Sequence, residues 1–384
     1  MNISCEEDEL LHICTIETVQ LTNAAEKPRI YFFGDVQNIT HARIVESNIN
    51  TVTRELLVAF PHATGLEFVE LPISAIERGA FDNASRLEML LFNTNNISQL
   101  EPGVFSGLTE LRNLSLENSQ IRGRLPADLF TSNTKLATLS MKGNLLTRIE
   151  NNPFSHVSGT MYFVDFSNNN IEHFDLSQSS NIVAIDVSTN RLTELKIPRV
   201  GLERLKASHN RISRIVPNGE NKQLTELNLS HNRFSKIPSL AMYPSLNILD
   251  LSYNEIEAVL PADFPAETKL TELSLTNNRL TRFDVALRNL VVLDLSSNLL
   301  KSVDVSSPLL STLEVLYLSR NSIETVKLAA NNSLWQLAVN ENELTCANLR
   351  THLPLLAKVV VRMTDTAPCK AGYIMESDFC CKET

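Results

Sequence analysis

The chain has 384 residues, 43% of them hydrophobic and 20% charged, a composition typical of a soluble folded protein. Its formal net charge of −10 disfavours binding to nucleic acid or to anionic membranes, because both need a basic surface. The sequence contains no apolar run long enough to span a bilayer. It also lacks an apolar signal-peptide segment near its start, so we expect Met1 to begin a processed or engineered form.

Residues 1–28 contain two cysteines, Cys5 and Cys14. The remaining four lie near the other end of the chain, and none lies between. An even number of cysteines confined to the two ends favours disulfide bonds, which indicate an oxidising, extracellular compartment. We therefore predict that residues 1–28 form an N-terminal cap clasped by Cys5 and Cys14.

Residues 29–345 follow a repeated pattern, L-x-x-L-x-L-x-x-N-x-L, for example LTELNLSHNRF from Leu224, at intervals of 20 to 27 residues. The x-L-x-L core alternates with period two and predicts a short strand with one apolar side. Because one strand cannot bury that side alone, stacked coils should join the strands into a curved parallel sheet over one core. The fold class is thus an α/β leucine-rich-repeat solenoid of about 14 repeats. Its predicted first positions are Ile39, Leu66, Leu87, Leu111, Leu136, Met161, Ile182, Leu202, Leu224, Leu246, Leu270, Leu290, Leu313 and Leu334.

Two further columns of residues fit this scaffold. An asparagine column from Asn95 to Asn342 lies where each strand ends, and a buried amide there can satisfy the backbone of the turn. Phe81, Phe105, Phe130 and Phe154 lie in the returning halves of the earlier coils, and we predict that they stack behind the sheet. The later coils are shorter and lack this phenylalanine. Both columns are interpreted as structural.

Residues 346–384 are predicted to form a C-terminal cap, with the apolar stretch LPLLAKVVV covering the last coil. Zinc is an alternative to disulfide bonds for Cys346, Cys369, Cys380 and Cys381, but gaps of 22 and 10 residues do not resemble paired zinc knuckles. A disulfide bond between the neighbours Cys380 and Cys381 would be strained, so each should pair separately with Cys346 or Cys369. Which cysteine pairs with which stays open.

The concave face of the sheet is the expected place for a partner. Its central column reads Arg43, Glu70, Leu91, Ser115, Ser140, Asp165, Asp186, Lys206, Asn228, Asp250, Ser274, Asp294, Tyr317 and Ala338. The Asp165–Asp186 pair followed by Lys206 is either ordinary surface electrostatics or an acidic recognition stripe. The candidate binding residues are Asp165, Asp186, Lys206, His209, His231, Asp250 and Tyr253.

His209 and His231 occupy the same position in consecutive repeats, so their rings should be neighbours at the rim of this face. A metal site or a pH switch is one interpretation, and two solvated neutral histidines with no third ligand is the other.

Asn-x-Ser/Thr motifs weakly support secretion and mark candidate glycosylation sites. These are Asn2, Asn38, Asn83, Asn96, Asn113, Asn228 and Asn331. A glycan on Asn228 would stand in the middle of the concave face, and one on Asn113 close by. If both are occupied, the partner should use an end or an edge.

Sequence signatures of enzymes are absent: there is no HExxH, G-x-S-x-G, Walker A or Rossmann glycine pattern, and the 11 glycines are scattered. We therefore predict a protein-binding chain without catalytic residues, cofactor or metal.

The cap cysteines carry a family resemblance. Repeats followed by C-x22-C-x10-C-C resemble the secreted leucine-rich immune proteins of mosquitoes. The segment from Cys369 through Gly372 and Tyr373 to Cys380 and Cys381 is most similar to the Anopheles Plasmodium-responsive leucine-rich repeat proteins. The N-terminal C-x8-C motif and the short later repeats fit this family too.

The resemblance implies a haemolymph protein of innate immunity. Members of the family pair with a second leucine-rich subunit through a C-terminal coiled coil and an intermolecular disulfide. The pair holds a complement-like thioester-containing protein and delivers it to parasites or bacteria. No sustained heptads occur in this sequence, so the coiled coil is expected to be absent from it and the chain to be monomeric. The alternative function is the ectodomain of a cell-surface leucine-rich-repeat receptor that binds its ligand directly.

Overall fold

The computed structural model describes residues 2–8, 11–21 and 39–352 apart from 151, 217, 266 and 286, and, towards the C-terminus, 355, 359, 361–363, 368–376 and 379–383. The chain forms two compact units: Met1–Leu192 with Lys196–Leu202, and Thr193–Leu195 with Glu203–Thr384. Each unit is a run of leucine-rich-repeat coils joined by parallel strands. The predicted α/β leucine-rich-repeat solenoid is therefore confirmed, whereas the bounds of its caps stay predictions.

In the first unit, one strand per coil joins a parallel sheet. These strands are His41–Val45, Gly65–Val69, Met89–Asn93, Asn113–Ser115, Thr138–Ser140, Phe163–Asp165 and Ala184–Asp186. The returning halves of the coils contain one short helix, Arg54–Val58, and short strands. Those strands are Gln20–Leu21, Asn48–Ile49, Thr51–Val52, Ala75–Ile76, Arg122–Arg124, Leu145–Ile149 and His173–Phe174.

The second unit repeats this arrangement with three-residue strands. They are Arg204–Lys206, Glu226–Asn228, Ile248–Asp250, Glu272–Ser274, Val292–Asp294, Val315–Tyr317 and Gln336–Ala338. Its returning halves contain the strands Arg214–Val216, Ser302–Val305 and Thr325–Leu328 and the 3-10 helices Pro261–Asp263 and Pro308–Leu310. The strand Glu194–Lys196 includes residues of both units.

The leucines of the repeat form the interior. Leu227, Leu249 and Leu273 pair in register on adjacent strands and are at most 1% exposed. Inward and outward side chains alternate along each strand, as the period-two pattern predicts. Hydrophobic burial along this continuous column is the main stabilising term of the coil stack.

The asparagine column satisfies the backbone of the turns, as predicted. The Nδ2 of Asn254 donates to the carbonyl oxygens of Leu229, Leu251 and Ser252 at 3.0–3.1 Å. Its Oδ1 accepts the backbone N–H of Phe234 at 2.9 Å. One buried side chain thus joins two successive coils and leaves no polar atom of its own unpaired.

The phenylalanine column is also confirmed. The ring centroids of Phe81, Phe105, Phe130 and Phe154 lie 5.6–6.2 Å apart in sequence order, and all four side chains are buried. These rings fill the returning halves of the coils in the first unit.

Disulfide-bonded cysteines lie at both ends of the chain. At the N-terminus, the antiparallel strands Asn2–Asp8 and Leu11–Glu17 place Cys5 opposite Cys14, and the second strand continues the parallel sheet. Cys14 is disulfide-bonded, whereas the side chain of Cys5 lies outside the described residues.

The C-terminal cap contains the helix Cys346–His352 and the antiparallel strands Ile374–Glu376 and Phe379–Cys381. The strand Val361–Met363 adds a further parallel strand to the sheet. Most of the predicted apolar cap stretch 353–361 lies outside the described residues. The disulfide bonds are Cys346–Cys381 and Cys369–Cys380, so the adjacent cysteines have different partners.

Candidate binding face

The outward side chains of the parallel strands form what we call the strand face of each unit. They occupy the second, third and fifth positions of the repeat, between the buried leucines. Because parallel strands lie about 4.8 Å apart, equivalent residues in consecutive coils are direct neighbours on this face.

The register of the sheet corrects one predicted repeat. Leu66 pairs with Ala42 on one side and Leu90 on the other, which places it at the fourth position of its repeat and not the first. The strand face therefore carries Glu67 between Arg43 and Leu91, and the prediction of Glu70 in this column was wrong. Glu70 instead lies in the turn, with a positive φ of 55°. The pattern failed here because Leu71 occupies the usual asparagine position.

Glu67 forms a buried ionic cluster that the sequence did not predict. Its Oε1 lies 2.8 Å from Nε2 of His41, and its Oε2 accepts the Nε–H of Arg43 at 2.6 Å. His41 and Glu67 are buried, and any side chain at Gly65 would collide with the His41 ring. The hydrogen bond from His41 contributes most to lowering the pKa of Glu67 below its usual value. The hydrogen bond and the positive charge of Arg43 lower this pKa further, and these interactions outweigh burial, which raises it. The sequence feature that could have indicated this cluster is Gly65, which leaves room for the ring of His41 on the neighbouring strand.

The aspartates of the predicted column form hydrogen bonds within their own turns. Asp165 and Asp186 face each other on adjacent strands, and their Oδ1 atoms accept the backbone N–H groups of Ser167 and Ser188 at 2.7 and 2.8 Å. Burial, with a smaller contribution from the charge of Asp186, raises the pKa of Asp165. The Asp-x-Ser sequence is thus first a turn cap, and recognition by these residues remains a hypothesis.

His209, His231 and Tyr253 stack as a row in the second unit. The ring centroids are 3.9 Å apart for His209 and His231 and 4.0 Å apart for His231 and Tyr253, with interplanar angles of 13° and 10°. All three residues have a positive φ of 53°. Burial and the neighbouring His209 lower the pKa of His231. Rings stacked in parallel do not point their nitrogens at one shared ion, which disfavours the metal interpretation.

Lys206 and Asp250 border this row. Lys206 is exposed on the strand Arg204–Lys206, opposite Asn228, and Asn228 lies opposite Asp250. The structure therefore brings five of the predicted binding residues together in the second unit: Lys206, His209, His231, Asp250 and Tyr253. Asp165 and Asp186 belong to the first unit.

The binding residues predicted from the sequence did not include the second and third positions of the repeats. In the second unit these carry Glu272, Glu314 and Trp335, all exposed. The indole N–H of Trp335 donates to Oε2 of Glu314 at 3.3 Å. The chain has one tryptophan, and its position next to a buried leucine of the motif was the available signal.

The glycosylation candidates differ in exposure. Asn83, Asn96, Asn113 and Asn331 are exposed, whereas Asn228 is half-buried and its Oδ1 accepts hydrogen bonds from the backbone and hydroxyl of Ser230. The side chain of Asn2 and all of Asn38 lie outside the described residues.

Among the described residues, a single group offers three potential metal ligands, Cys346, Glu376 and Cys381, but both of its thiols are joined in a disulfide bond. None of the helices in the described part of the chain is long and apolar enough to cross a membrane.

Comparison with known proteins gives consistent relatives. The chain matches the family described as "Leucine rich repeat" over residues 71–121, 222–280 and 288–344. It is 33% identical to a chain of the LRIM1/APL1C complex, with a TM-score of 0.86, covering 100% of this chain and 71% of that one. The APL1 leucine-rich repeat domain is also 33% identical, with a TM-score of 0.84, covering 97% of this chain and 98% of that domain.

Among curated proteins, keratocan of Gallus gallus is 28% identical over 232 residues, which are 52% of this chain and 61% of keratocan. The chain thus spans less than two thirds of the length of that relative.

Proposed function

Because the chain belongs to the mosquito leucine-rich immune protein family represented by LRIM1 and APL1, we propose that it is a secreted, non-enzymatic subunit of an insect innate immune complex. It binds a complement-like thioester-containing protein, stabilises it and delivers it to parasites or bacteria. The observation that carries this proposal is the 33% identity and TM-score of 0.86 over the whole chain to the LRIM1/APL1C complex.

The proposed partners are a second leucine-rich subunit and the thioester-containing protein. The solved relative is itself a complex, which supports a leucine-rich partner. Disulfide bonds at the C-terminal end support the haemolymph as the compartment, since such bonds persist outside the cell. The exposed sequons Asn83, Asn96, Asn113 and Asn331 are proposed to carry glycans there.

The proposed contact surface is the strand face of the second unit around the stacked row. Tyr253 is 47% exposed and is held in place by its contact with His231. A rigid, exposed aromatic side chain loses little entropy on binding, which is why such residues are enriched at binding hot spots. Lys206 and Asp250 add charges of both signs beside it.

The test is binding of purified thioester-containing protein to the immobilised full chain, measured by surface plasmon resonance with and without the second leucine-rich subunit. We expect Tyr253→Ala to weaken binding about tenfold. The matched control is Tyr162→Ala, which removes an exposed tyrosine from the first unit and should leave affinity unchanged. Absence of binding by the unmodified chain in both formats would refute the proposed function.

A further inference from the structure

Four consecutive coils of the second unit each carry one carboxylate on the strand face. We call Asp250, Glu272, Asp294 and Glu314 the acidic face. Asp250 and Asp294 occupy the fifth repeat position, Glu272 the third and Glu314 the second, so each coil contributes one carboxylate to the row. Three strand spacings of about 4.8 Å make the row about 14 Å long.

No basic residue in the described part of the chain lies within ion-pair distance of this row. From Ile248 to Ala338, the described second, third, fifth and seventh repeat positions contain neither lysine nor arginine. The arginines at the turn edge already have partners: Arg279 pairs with Glu255 at 3.1 Å and Arg320 with Glu341 at 3.2 Å. Among the described residues, none of the four carboxylates of the acidic face forms an ion pair within 4.0 Å.

Because no basic side chain among the described residues pairs with this row, the charge of Asp294 is disfavoured. Burial raises the pKa of this carboxyl, and the charge of Asp250, two strands away, raises it further, against the hydrogen bonds from Ser296. A cation placed between the two strands would reverse the Coulombic part of this cost. The folded chain therefore presents a negative potential that a positively charged partner would relieve.

An aromatic group at the end of the row indicates which cation fits. Trp335 lies beside Glu314 in the next coil, is 41% exposed, and points its indole N–H at the Glu314 carboxylate. The neighbouring Tyr317 hydroxyl accepts a hydrogen bond from the Gln336 amide at 2.9 Å. A guanidinium group can stack on an indole face while it donates to a carboxylate, a combination that favours arginine over lysine.

We propose that the acidic face and Trp335 dock an extended, arginine-bearing segment of a partner protein. The row from Asp250 to Trp335 spans four strand spacings, about 19 Å, which matches about six residues of extended chain. Alternate side chains of such a segment would meet the sheet. This inference rests on the proposed function for the existence of a protein partner and names the chemistry of the segment that partner presents.

Trp335 is the only tryptophan of the chain, so a change in tryptophan fluorescence reports directly on this site. The probe is a synthetic peptide of about seven residues in which arginine alternates with serine, and which contains no aromatic residue. We expect a saturable change in Trp335 fluorescence that weakens as ionic strength rises from about 50 to about 300 mM. The same peptide with citrulline in place of arginine should give no change, and a lysine peptide should bind more weakly.

The informative variant is the double substitution Asp250→Asn with Asp294→Asn. Asn228 already occupies the same repeat position and caps its turn by accepting the N–H of Ser230, so asparagine should keep the fold. We expect peptide affinity to fall at least about tenfold. The matched control, Glu88→Gln with Glu110→Gln, removes two carboxylates from the first unit and should leave affinity unchanged. Asn228 faces Asp250, and both substitutions create Asn-Leu-Ser motifs, so all samples are produced in a host without N-linked glycosylation.

Three results would overturn the inference: no fluorescence change, equal affinity for the arginine and lysine peptides, or equal affinity of the double variant. A response to calcium chloride alone that the double variant abolishes would also overturn it, in favour of a simple cation site. If the arginine peptide gives no fluorescence change but the chain still captures the thioester-containing protein, this inference is refuted and the proposed function stands. Peptide binding without such capture would do the reverse.

Discussion

The two units have interiors of the same kind, built from leucine and asparagine, but they differ in the returning halves of their coils and in their strand faces. In the first unit, four stacked phenylalanines fill the returning halves of the coils. The second unit has no such column among its described residues, and shorter returns place side chains such as Leu240 and Tyr243 there. Burial raises the pKa of Tyr243 to about 12. Different returns thus support the same leucine and asparagine interior.

The strand faces differ in electrostatics. In the first unit, two carboxylates of the face are paired, Glu67 with His41 and Arg43 and Glu88 with Arg112 at 3.6 Å, whereas Asp165 and Asp186 face each other without an ion pair among the described residues. In the second unit, the acidic face has no cation within ion-pair distance among the described residues. The leucine pattern fixes the interior of a coil and leaves its outward positions free, so a surface for partners can change without changing the fold.

The largest expected effect is in the phenylalanine column. Phe130→Ala removes a fully buried ring whose neighbours lie 5.6 and 6.2 Å away, so we expect a loss of about 4 kcal/mol in the free energy of unfolding. Urea unfolding followed by far-UV circular dichroism measures it. Phe163→Ala, which truncates an exposed ring of the same unit, should cost less than about 1 kcal/mol. Equal losses would show that the column does not support the first unit.

The asparagine column allows the two units to be compared directly. Asn254→Ala leaves three carbonyls and one N–H without their amide partner, and should cost about 3 kcal/mol. In the first unit, Asn95 donates to Phe68 and Asn93, but its buried Oδ1 has no hydrogen-bond partner. Asn95→Ala should therefore cost about half as much in the same unfolding assay. A larger loss at Asn95 would contradict this reading of the turns.

The buried cluster of the first unit should show a pH dependence. The pKa of Glu67 is lowered in the folded state, so its contribution is fully present above the ordinary glutamate value of 4.5 and is lost as pH falls through the lower folded pKa. Glu67→Gln should cost about 2 kcal/mol at pH 7 and progressively less below pH 4.5. Thermal unfolding across this range checks it.

A control for Glu67 is the exposed pair of Glu110 with Lys135, whose atoms lie 2.6 Å apart. Glu110→Gln should cost well under about 1 kcal/mol, because solvent screens that pair. A cost at Glu67 that does not change with pH would rule out an electrostatic role for the cluster.

The smallest effect on stability is expected on the acidic face, where the substitution should stabilise the chain and not destabilise it. The pKa of Asp294 is raised in the folded state, so its contribution is favourable below the ordinary aspartate value of 3.8 and is lost as pH rises through the higher folded pKa. Asp294→Asn keeps the acceptor for Ser296 and should stabilise the chain at pH 7 by less than about 1 kcal/mol.

Asp304 serves as the control for this sign. Hydrogen bonds from Ser306 lower the pKa of Asp304, so Asp304→Asn should lower the melting temperature instead. Two changes of the same sign would show that burial does not disfavour the charge of Asp294.

The sequence predicted most of the fold from local chemistry. Period-two leucines placed Leu227, Leu249 and Leu273 in the core, and the recurring asparagines marked the ends of the strands. It also placed His209 next to His231, because the intervals between coils there are regular. It failed at Leu66, where Leu71 replaces the asparagine and the pattern can be aligned three residues late.

What the sequence determined by itself is which side chains point inward, since alternation along a strand is a property of the local backbone. Which outward side chains meet was decided by the tertiary structure. Glu67 reaches His41 and Arg43, and Trp335 reaches Glu314, across coils separated by more than twenty residues. Such contacts depend on strand register and on the length of each return. The disulfide pairs Cys346–Cys381 and Cys369–Cys380 belong to the same class, because their choice depends on how the cap folds back.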